Sequence, residues 1–454
     1  MKILLLIPLY LFSMNSYSAT AAILDNGVDH THSELEENIY RNLDERLNGY
    51  DDDQNGYIDD ILGWNFVTMT NSTFDFSREI YLTTDIERYY HLRAKNSLGT
   101  ITEEETREYN KLKKDSDLSD RRKDFVSWMH GTHVAGIAAN SEDLPQEINS
   151  SDIKIFSVTY LGDAKSGPAK APEFEALNTN STFAGQRHLE NYWKSFLKWQ
   201  LNKFQLGVDY AASKASVVNG SFGQSFEGIQ ERMENYYKDQ FGKEMNSKES
   251  FARTTTFMKE LIEKSTRILS KHPNTLFVFS AGNKKNNSDE YIHFPSAIRL
   301  ENSLSIGASF DFKEMAYFSN FGKKTVDLFA PGMAIRSTIP RQGYLATNGT
   351  SQASPYVVNI AIKALAQAER LGIKLKIYQL KNILLQTVIK KSELTDLSVS
   401  GGIIFPERVY QTVRNLRRFN LTNSIQYAIR KYPTKSVTVE KLNDNGLFLE
   451  LPEN

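Results

Sequence analysis

Short apolar runs that end at polar or glycine-bearing turns alternate along this chain with longer helical patterns, and few architectures bury both. The runs are Ala21–Leu24, Ile153–Val158, Ser216–Asn219, Thr275–Phe279 and Ser303–Gly307. Runs this short, apolar at most positions and spaced by helical segments, fit strands covered on both faces by crossover helices. The pattern predicts an α/β fold of three layers with a mostly parallel central sheet. In such a sheet the ligand crevice lies beyond the carboxyl ends of the strands, so the residues that follow the runs are the ones to search for chemistry.

The composition supplies the core that this architecture needs. Of 454 residues, 40% are hydrophobic and 24% charged, and the formal net charge of −1 gives no global field to attract nucleic acid or an anionic membrane. The chain has no cysteine, which excludes disulfides, a thiol nucleophile and thiolate metal sites. Site chemistry must come from hydroxyls, imidazoles and carboxylates.

Residues 1–19 read as an export signal: Lys2, an apolar run Ile3–Phe12, then small residues Ser16–Ala19 around a cleavage point. That run is short for a bilayer span. The expected product is therefore exported, periplasmic or secreted, with no membrane attachment after cleavage. Residues 20–417 form the expected main domain and 418–454 a C-terminal extension. Two charged stretches interrupt the domain, about 77–123 and 224–271; both read as helical insertions, solvated on the outside, with a lid or docking role as the second reading.

Three segments carry candidate chemistry. Asp25-Asn26-Gly27 closes the first run, placing a carboxylate at the sheet edge. His130-Gly131-Thr132-His133-Val134-Ala135-Gly136 puts a histidine at the expected mouth of a small-residue helix. A metal held by His130 and His133 is disfavoured, because no third ligand or HExxH spacing accompanies them. Gly349-Thr350-Ser351-Gln352-Ala353-Ser354-Pro355 leads into an apolar helix and sets a serine at its N-terminus, where backbone N–H groups favour negative charge. Each alone has an ordinary structural role; together, in the order Asp, His, Ser, the segments ILDNGVD, HGTHVAG and GTSQASP resemble the catalytic blocks of the subtilase family. Ser280–Asn283, Val218–Gly223, Phe318–Gly322 and Val326–Gly332 resemble further blocks of the same family, so the likeness runs from about Ala21 to about Leu416.

The resemblance implies a subtilisin-like fold and a serine endopeptidase acting on polypeptides. Ser351 would be the nucleophile, His130 the general base, Asp25 its orienting carboxylate, and Asn283 a donor to the oxyanion. Ser221, Phe222 and Gly223 would pair with extended substrate as an added strand. Lys284, next to Asn283, would give a modest preference for acidic side chains beside the cut. The chemistry needs no cofactor. A catalytically silent binding protein and an esterase or transferase using the same triad are the rival readings, to be separated by assays on unfolded protein and a simple ester.

The segment Asp51–Asp60 alternates oxygen-bearing side chains around Gly56, much like a calcium loop, with Asp51, Asp53 and Asn55 as candidate ligands. Leu62 stands where an EF-hand has its closing glutamate, so the alternatives are a structural calcium site and a solvated acidic turn. Finally, little chain separates the signal from Asp25, where the family carries a folding-assistant prosegment. A separately encoded folding or inhibitory partner in trans is expected to replace it, or the 77–123 insertion in cis, with a start upstream of this sequence and a lower folding barrier as the other readings.

Overall fold

The structure, a computed structural model, describes residues 19–162 and 170–433. The expected signal therefore lies outside the described residues, apart from Ala19. The strands are β1 (Thr20–Asp25), β2 (Gly63–Asn65), β3 (Lys154–Thr159), β4 (Val217–Gly220), β5 (Leu276–Ser280), β6 (Ser303–Phe310), β7 (Glu314–Met315), β8 (Leu328–Pro331), β9 (Ile335–Ile339), β10 (Gly343–Thr347), β11 (Ile389–Lys390) and β12 (Gly402–Ile403). All five apolar runs become strands of one sheet ordered β11-β12-β8-β6-β5-β4-β1-β3-β2, with β7 beside β6. Pairing is parallel from β12 to β2 and antiparallel at the short strands β11 and β7. β9 and β10 form a separate antiparallel hairpin.

The helices are α1 (Ser33–Glu36), α2 (Thr84–Leu98), α3 (Glu103–Lys114), α4 (Ser116–Ala139), α5 (Thr182–Lys214), α6 (Phe226–Phe241), α7 (Ser247–Leu269), α8 (Thr350–Arg370), α9 (Ile377–Gln386), α10 (Pro406–Asn415) and α11 (Leu421–Lys431). Strand alternation sends side chains to two separate cores. Ala21, Ile23, Leu276 and Val278 face a core shared with α4, α8, α9 and α10. Ala22, Leu24, Phe277 and Phe279 face the opposite core, closed by α5, α6 and α7.

The two charged stretches depart in part from the solvated reading. In the first, α2, α3 and α4 follow one another through a left-handed Gly99 at the end of α2, a Thr102–Glu105 capping box, and Asp115, whose side chain accepts from the Leu118 N–H at 3.0 Å. Ile86, Tyr89, Tyr90, Leu118 and Phe125 are buried in a cluster with Ile339 and Leu345 of the β9–β10 hairpin. In the second, Phe257, Met258, Leu261, Ile268 and Leu269 of α7 lie inside the aromatic core. Charged faces disguise both stretches: many of their apolar residues recur at helical spacing and are buried, while α3 buries no residue and Tyr81 and Phe251 stay exposed, so the solvated reading holds for part of each. Part of the expected C-terminal extension also packs on the domain: Lys431 Nζ donates to Gln411 Oε1 at 2.6 Å, and Arg408 Nε donates to the Tyr432 carbonyl at 2.9 Å. Among the described residues no helix is long and apolar enough to cross a membrane.

Candidate active site

Asp25 ends β1 and is fully buried. Its Oδ1 accepts from Asn26 N at 2.8 Å and lies 2.7 Å from His130 Nδ1. What brings the two together is backbone contact: a Cβ built on Gly131 would lie 2.2 Å from the carbonyl oxygen of Gly27, itself at φ +112°. Only glycine at 131 lets α4 press this closely on the turn after β1. His130 does not stand at a helix mouth as expected but mid-helix, because α4 begins at Ser116 and nothing between Asp115 and His130 breaks it. Burial pulls the His130 imidazole down, and the Asp25 charge and hydrogen bond outweigh it, leaving it above its ordinary range. His133 is separate from this pair: it is buried, its Nε2 hydrogen-bonds the Leu345 carbonyl at 2.9 Å, and burial pushes it down to about 4.

Ser351 is the second residue of α8, as the motif predicted. Pro355 lies inside the same helix and has no N–H, so the Ser351 carbonyl loses its normal i+4 donor. The Ser221 hydroxyl takes that place, donating to Ser351 O at 2.9 Å, while the Ser351 hydroxyl donates to Ser221 O at 3.1 Å. This reciprocal pair fixes the start of α8 against the chain leaving β4. No hydrogen bond joins Ser351 to His130 among the described residues; the Ser351 Oγ must rotate away from Ser221 O to make one. Sequence reasoning missed the Ser221–Pro355 relation, although both residues stood in quoted motifs.

Asn283 follows β5 and is exposed. Its Oδ1 accepts from Thr350 N at 2.9 Å and Thr350 Oγ1 at 3.0 Å, which turns the NH₂ end toward the Gly349 turn. A Cβ at Gly349 would stand 3.6 Å from Asn283 Nδ2 and 2.7 Å from Gln352 Oε1. The amide is thus oriented by the residue that immediately precedes Ser351. Thr350 is a positioning group that the sequence reading did not single out. Lys284 is exposed, with its backbone N–H on Asn320 Oδ1 at 2.9 Å.

Ser221, Phe222 and Gly223 continue beyond the end of β4, and the next residue, Gln224, makes an antiparallel bridge to Phe294 through bonds of 2.9 and 3.1 Å. Phe222 packs on Tyr160, with ring centroids 4.9 Å apart. These residues and His130 border a cavity of about 420 Å³.

The acidic segment gathers Asp51 and Asp53 with Glu45, a residue the motif did not include; a carboxylate oxygen from each lies within 4.8 Å of the others. Asn55 turns its NH₂, not its carbonyl oxygen, toward this group, donating to Asp53 Oδ2 at 3.0 Å and Asp60 Oδ2 at 3.1 Å. Its Oδ1 accepts from Tyr57 N at 2.8 Å. Asn55 thus clasps Asp53 to Asp60, and the carboxylate group is made by Glu45, Asp51 and Asp53. Glu45 in turn accepts from Asp53 N at 2.9 Å and Asp59 N at 3.0 Å. Lys214 Nζ, at the end of α5, lies 3.2 Å from Asp53 Oδ2 and 3.3 Å from Asp60 Oδ2. Partial burial pushes the Asp53 carboxyl up, but the Asn42 hydrogen bond and Lys214 hold it below the ordinary carboxylate range.

With this order of strands and this grouping of residues, the family comparison and the curated relatives point to one class. Residues 18–419 match the model of the subtilase family, and the chain belongs to that family. It is 34% identical over 291 residues to an extracellular basic protease of Dichelobacter nodosus, which covers 63% of this chain and 39% of that protein. It is 24% identical over 400 residues to subtilisin-like protease 1 of Plasmodium berghei (strain Anka), covering 87% of this chain and 50% of that one. The chain thus spans half or less of the length of these curated relatives. Among solved structures it is similar to a lanthipeptide protease at 17% identity and a TM-score of 0.47, covering 88% of each chain.

Proposed function

We propose that this chain is an exported serine endopeptidase that cleaves polypeptides with Asp25, His130 and Ser351 as its triad. The observation that carries the reading is the 2.7 Å contact between buried Asp25 and His130 in a member of the subtilase family. In this mechanism the Asp25 carboxylate holds the His130 Nδ1–H, which leaves Nε2 as the base. Rotation of the Ser351 side chain away from Ser221 O brings its hydroxyl to that base, and the freed oxygen attacks the peptide carbonyl. The Asn283 NH₂, oriented by Thr350, and the Ser351 N–H at the α8 terminus stabilise the tetrahedral oxyanion. His130 then returns the proton to the leaving amine as the C–N bond breaks, and a water deprotonated by His130 releases the acyl group from Ser351 and restores its hydroxyl. Extended substrate pairs with the backbone of Ser221 to Gly223.

The acidic segment fits a structural calcium ion held by Glu45, Asp51 and Asp53. These are hard oxygen donors, and a carboxylate oxygen that accepts one N–H keeps a lone pair for a cation. The ion takes no part in the reaction.

The decisive experiment combines Ser351→Ala with a serine-directed sulfonyl fluoride. Hydrolysis of unfolded protein is expected to fall by about 10⁴-fold or more in the variant, with the circular dichroism spectrum unchanged. Wild-type protein is expected to carry the label on Ser351. Retained proteolysis in Ser351→Ala, or labelling elsewhere, refutes the assignment.

A further inference from the structure

The cavity beside His130 has a wall that neither the triad nor the substrate strand explains. On one side stand Val126 and Ser127, which belong to the part of α4 that precedes His130. To the same lining α5 contributes Trp199, Gln200 and Lys203, which sequence spacing places on one face of that helix. Gln200 is 6% exposed, and its Nε2 finds no acceptor among the described residues; the same holds for the indole N–H of Trp199. Lys203 is 9% exposed, with its Nζ 4.9 Å from the Tyr160 ring centroid and 5.5 Å from that of Trp199. No aspartate or glutamate lines the cavity among the described residues.

A buried N–H without an acceptor costs free energy in the free protein, and two of them on consecutive residues of the cavity lining suit a ligand that supplies acceptors. Lys203 has partners of its own, so selectivity rests on the donor excess along this face of α5, with the Lys203 charge setting its sign. Gln224 Oε1, a buried side-chain acceptor without a partner among the described residues, suits a backbone N–H of an extended peptide rather than a side chain. A neutral amide side chain would meet the donors but gain nothing from the cation. A carboxylate meets both, in a partly desolvated site where charge-assisted bonds are strong.

We propose that this cavity is a specificity pocket for an acidic side chain, Asp or Glu, of the peptide segment that pairs with Ser221 to Gly223. Trp199, Gln200 and Lys203 act as its donors. The proposal deepens the peptidase reading and rests on it for the substrate class.

Binding to the Ser351→Ala protein reads the pocket without the reaction, so its failure is distinct from failure of the triad assignment. Fluorescent peptides differing only by Glu or Gln, with the residue stepped through each position, are titrated by anisotropy at low and at physiological salt. At one position the Glu peptide is expected to bind about tenfold tighter than the Gln peptide. Adding Lys203→Met is expected to bring that ratio close to one, and Gln200→Leu to reduce it, both in protein verified as folded by its melting curve. Equal binding of Glu and Gln peptides at every position overturns the proposal. So does a Glu preference that survives both substitutions.

Discussion

On the face of the sheet that carries His130 and Ser351, helices meet strands through small side chains. Val134, Ala135 and Ala138 of α4 and Ala353, Val357 and Ala361 of α8 pack there, all buried. On the opposite face α5 to α7 meet the same strands through rings: Phe196, Phe204 and Phe257 pack with Phe277, Phe279 and Phe294. Strands β1 and β5 contribute to both faces, so the difference lies in the helices they meet. Small residues permit close approach, which sets the position of a side chain to fractions of an ångström. Large rings bury much area and tolerate small displacements. One face is therefore built for placement and the other for burial, and substitutions on the two should separate activity from stability.

The largest effect expected on the burial face comes from Phe277→Ala. Phe277 is fully buried near the start of β5, at the opposite end of the strand from Asn283. Its truncation should destabilise the fold by about 3–5 kcal/mol, read from denaturant unfolding. The kcat/KM of the protein that remains folded should be nearly unchanged. A comparable loss of kcat/KM would show that the aromatic face also positions the site. Gly131→Ala makes the reverse test on the placement face. The added Cβ would meet the Gly27 carbonyl, so α4 must shift and His130 with it. Activity should fall on the order of 10²-fold. Unfolding should change by no more than about 1–3 kcal/mol. Full activity in Gly131→Ala would break the argument that this contact positions the histidine.

How much of this was legible follows from the same contrast. The strands that enter both cores, β1, β3, β4 and β5, announced themselves through apolar residues on each face, and β6 through Leu304, Ile306 and Ala308, which alternate with small residues on its other face. β2, β11 and β12 were not visible: they are two or three residues long and lie toward the sheet edges, too short for periodicity to register. Asp25, His130, Ser351 and Asn283 were read from their motifs, yet the start of α4 was misplaced because the small-residue signature begins only at His130. The Ser221 hydroxyl on the Ser351 carbonyl joins residues 130 apart, and no local pattern reports such a contact. Nor did composition reveal the α5 wall of the cavity. A Trp, a Gln and a Lys on a long helix read as ordinary surface until the tertiary fold buries them.

pH separates the two histidines of α4. His130 lies above its ordinary range because of Asp25, and the proposed base must be neutral. The kcat/KM limb is therefore expected to rise with a midpoint above 6.5, and Asp25→Asn should move that midpoint down while depressing the maximum. In stability terms the raised group contributes fully below its unfolded pKa, and that contribution is lost as pH rises through the folded value. His133 has the opposite sign. Burial holds it at about 4, so the unfolded chain takes up a proton below 6.5 that the native state refuses. Stability should fall by about 1.6 kcal/mol from this group alone between pH 6.5 and 5. Chemical denaturation at the two pH values in wild type and His133→Gln measures it. An unchanged slope in the variant would remove His133 as the cause.

The smallest effect sharpens the comparison where the two faces are tied together. α5, a helix of the burial face, ends at Lys214, whose ammonium contacts Asp53 and Asp60, while Tyr210 one turn earlier donates to Asp60 Oδ2 at 2.7 Å. The acidic segment thus anchors α5 through a side-chain cation, beside a group of carboxylates suited to a divalent one. An ion bound only by the native state raises stability by RT ln(1 + [L]/Kd), about 1.4 kcal/mol at ten times Kd. Calcium should therefore raise the melting temperature relative to chelator, and Asp53→Ala should remove most of that rise. Lys214→Met distinguishes two arrangements. If Lys214 and calcium compete for the charge of Asp53, the variant is less stable in chelator but gains more from calcium than the wild type does. If they act at separate oxygens, the variant loses the same stability in both conditions. Melting curves of the three proteins with and without calcium decide between these, and absence of any calcium response in all three removes calcium from this segment.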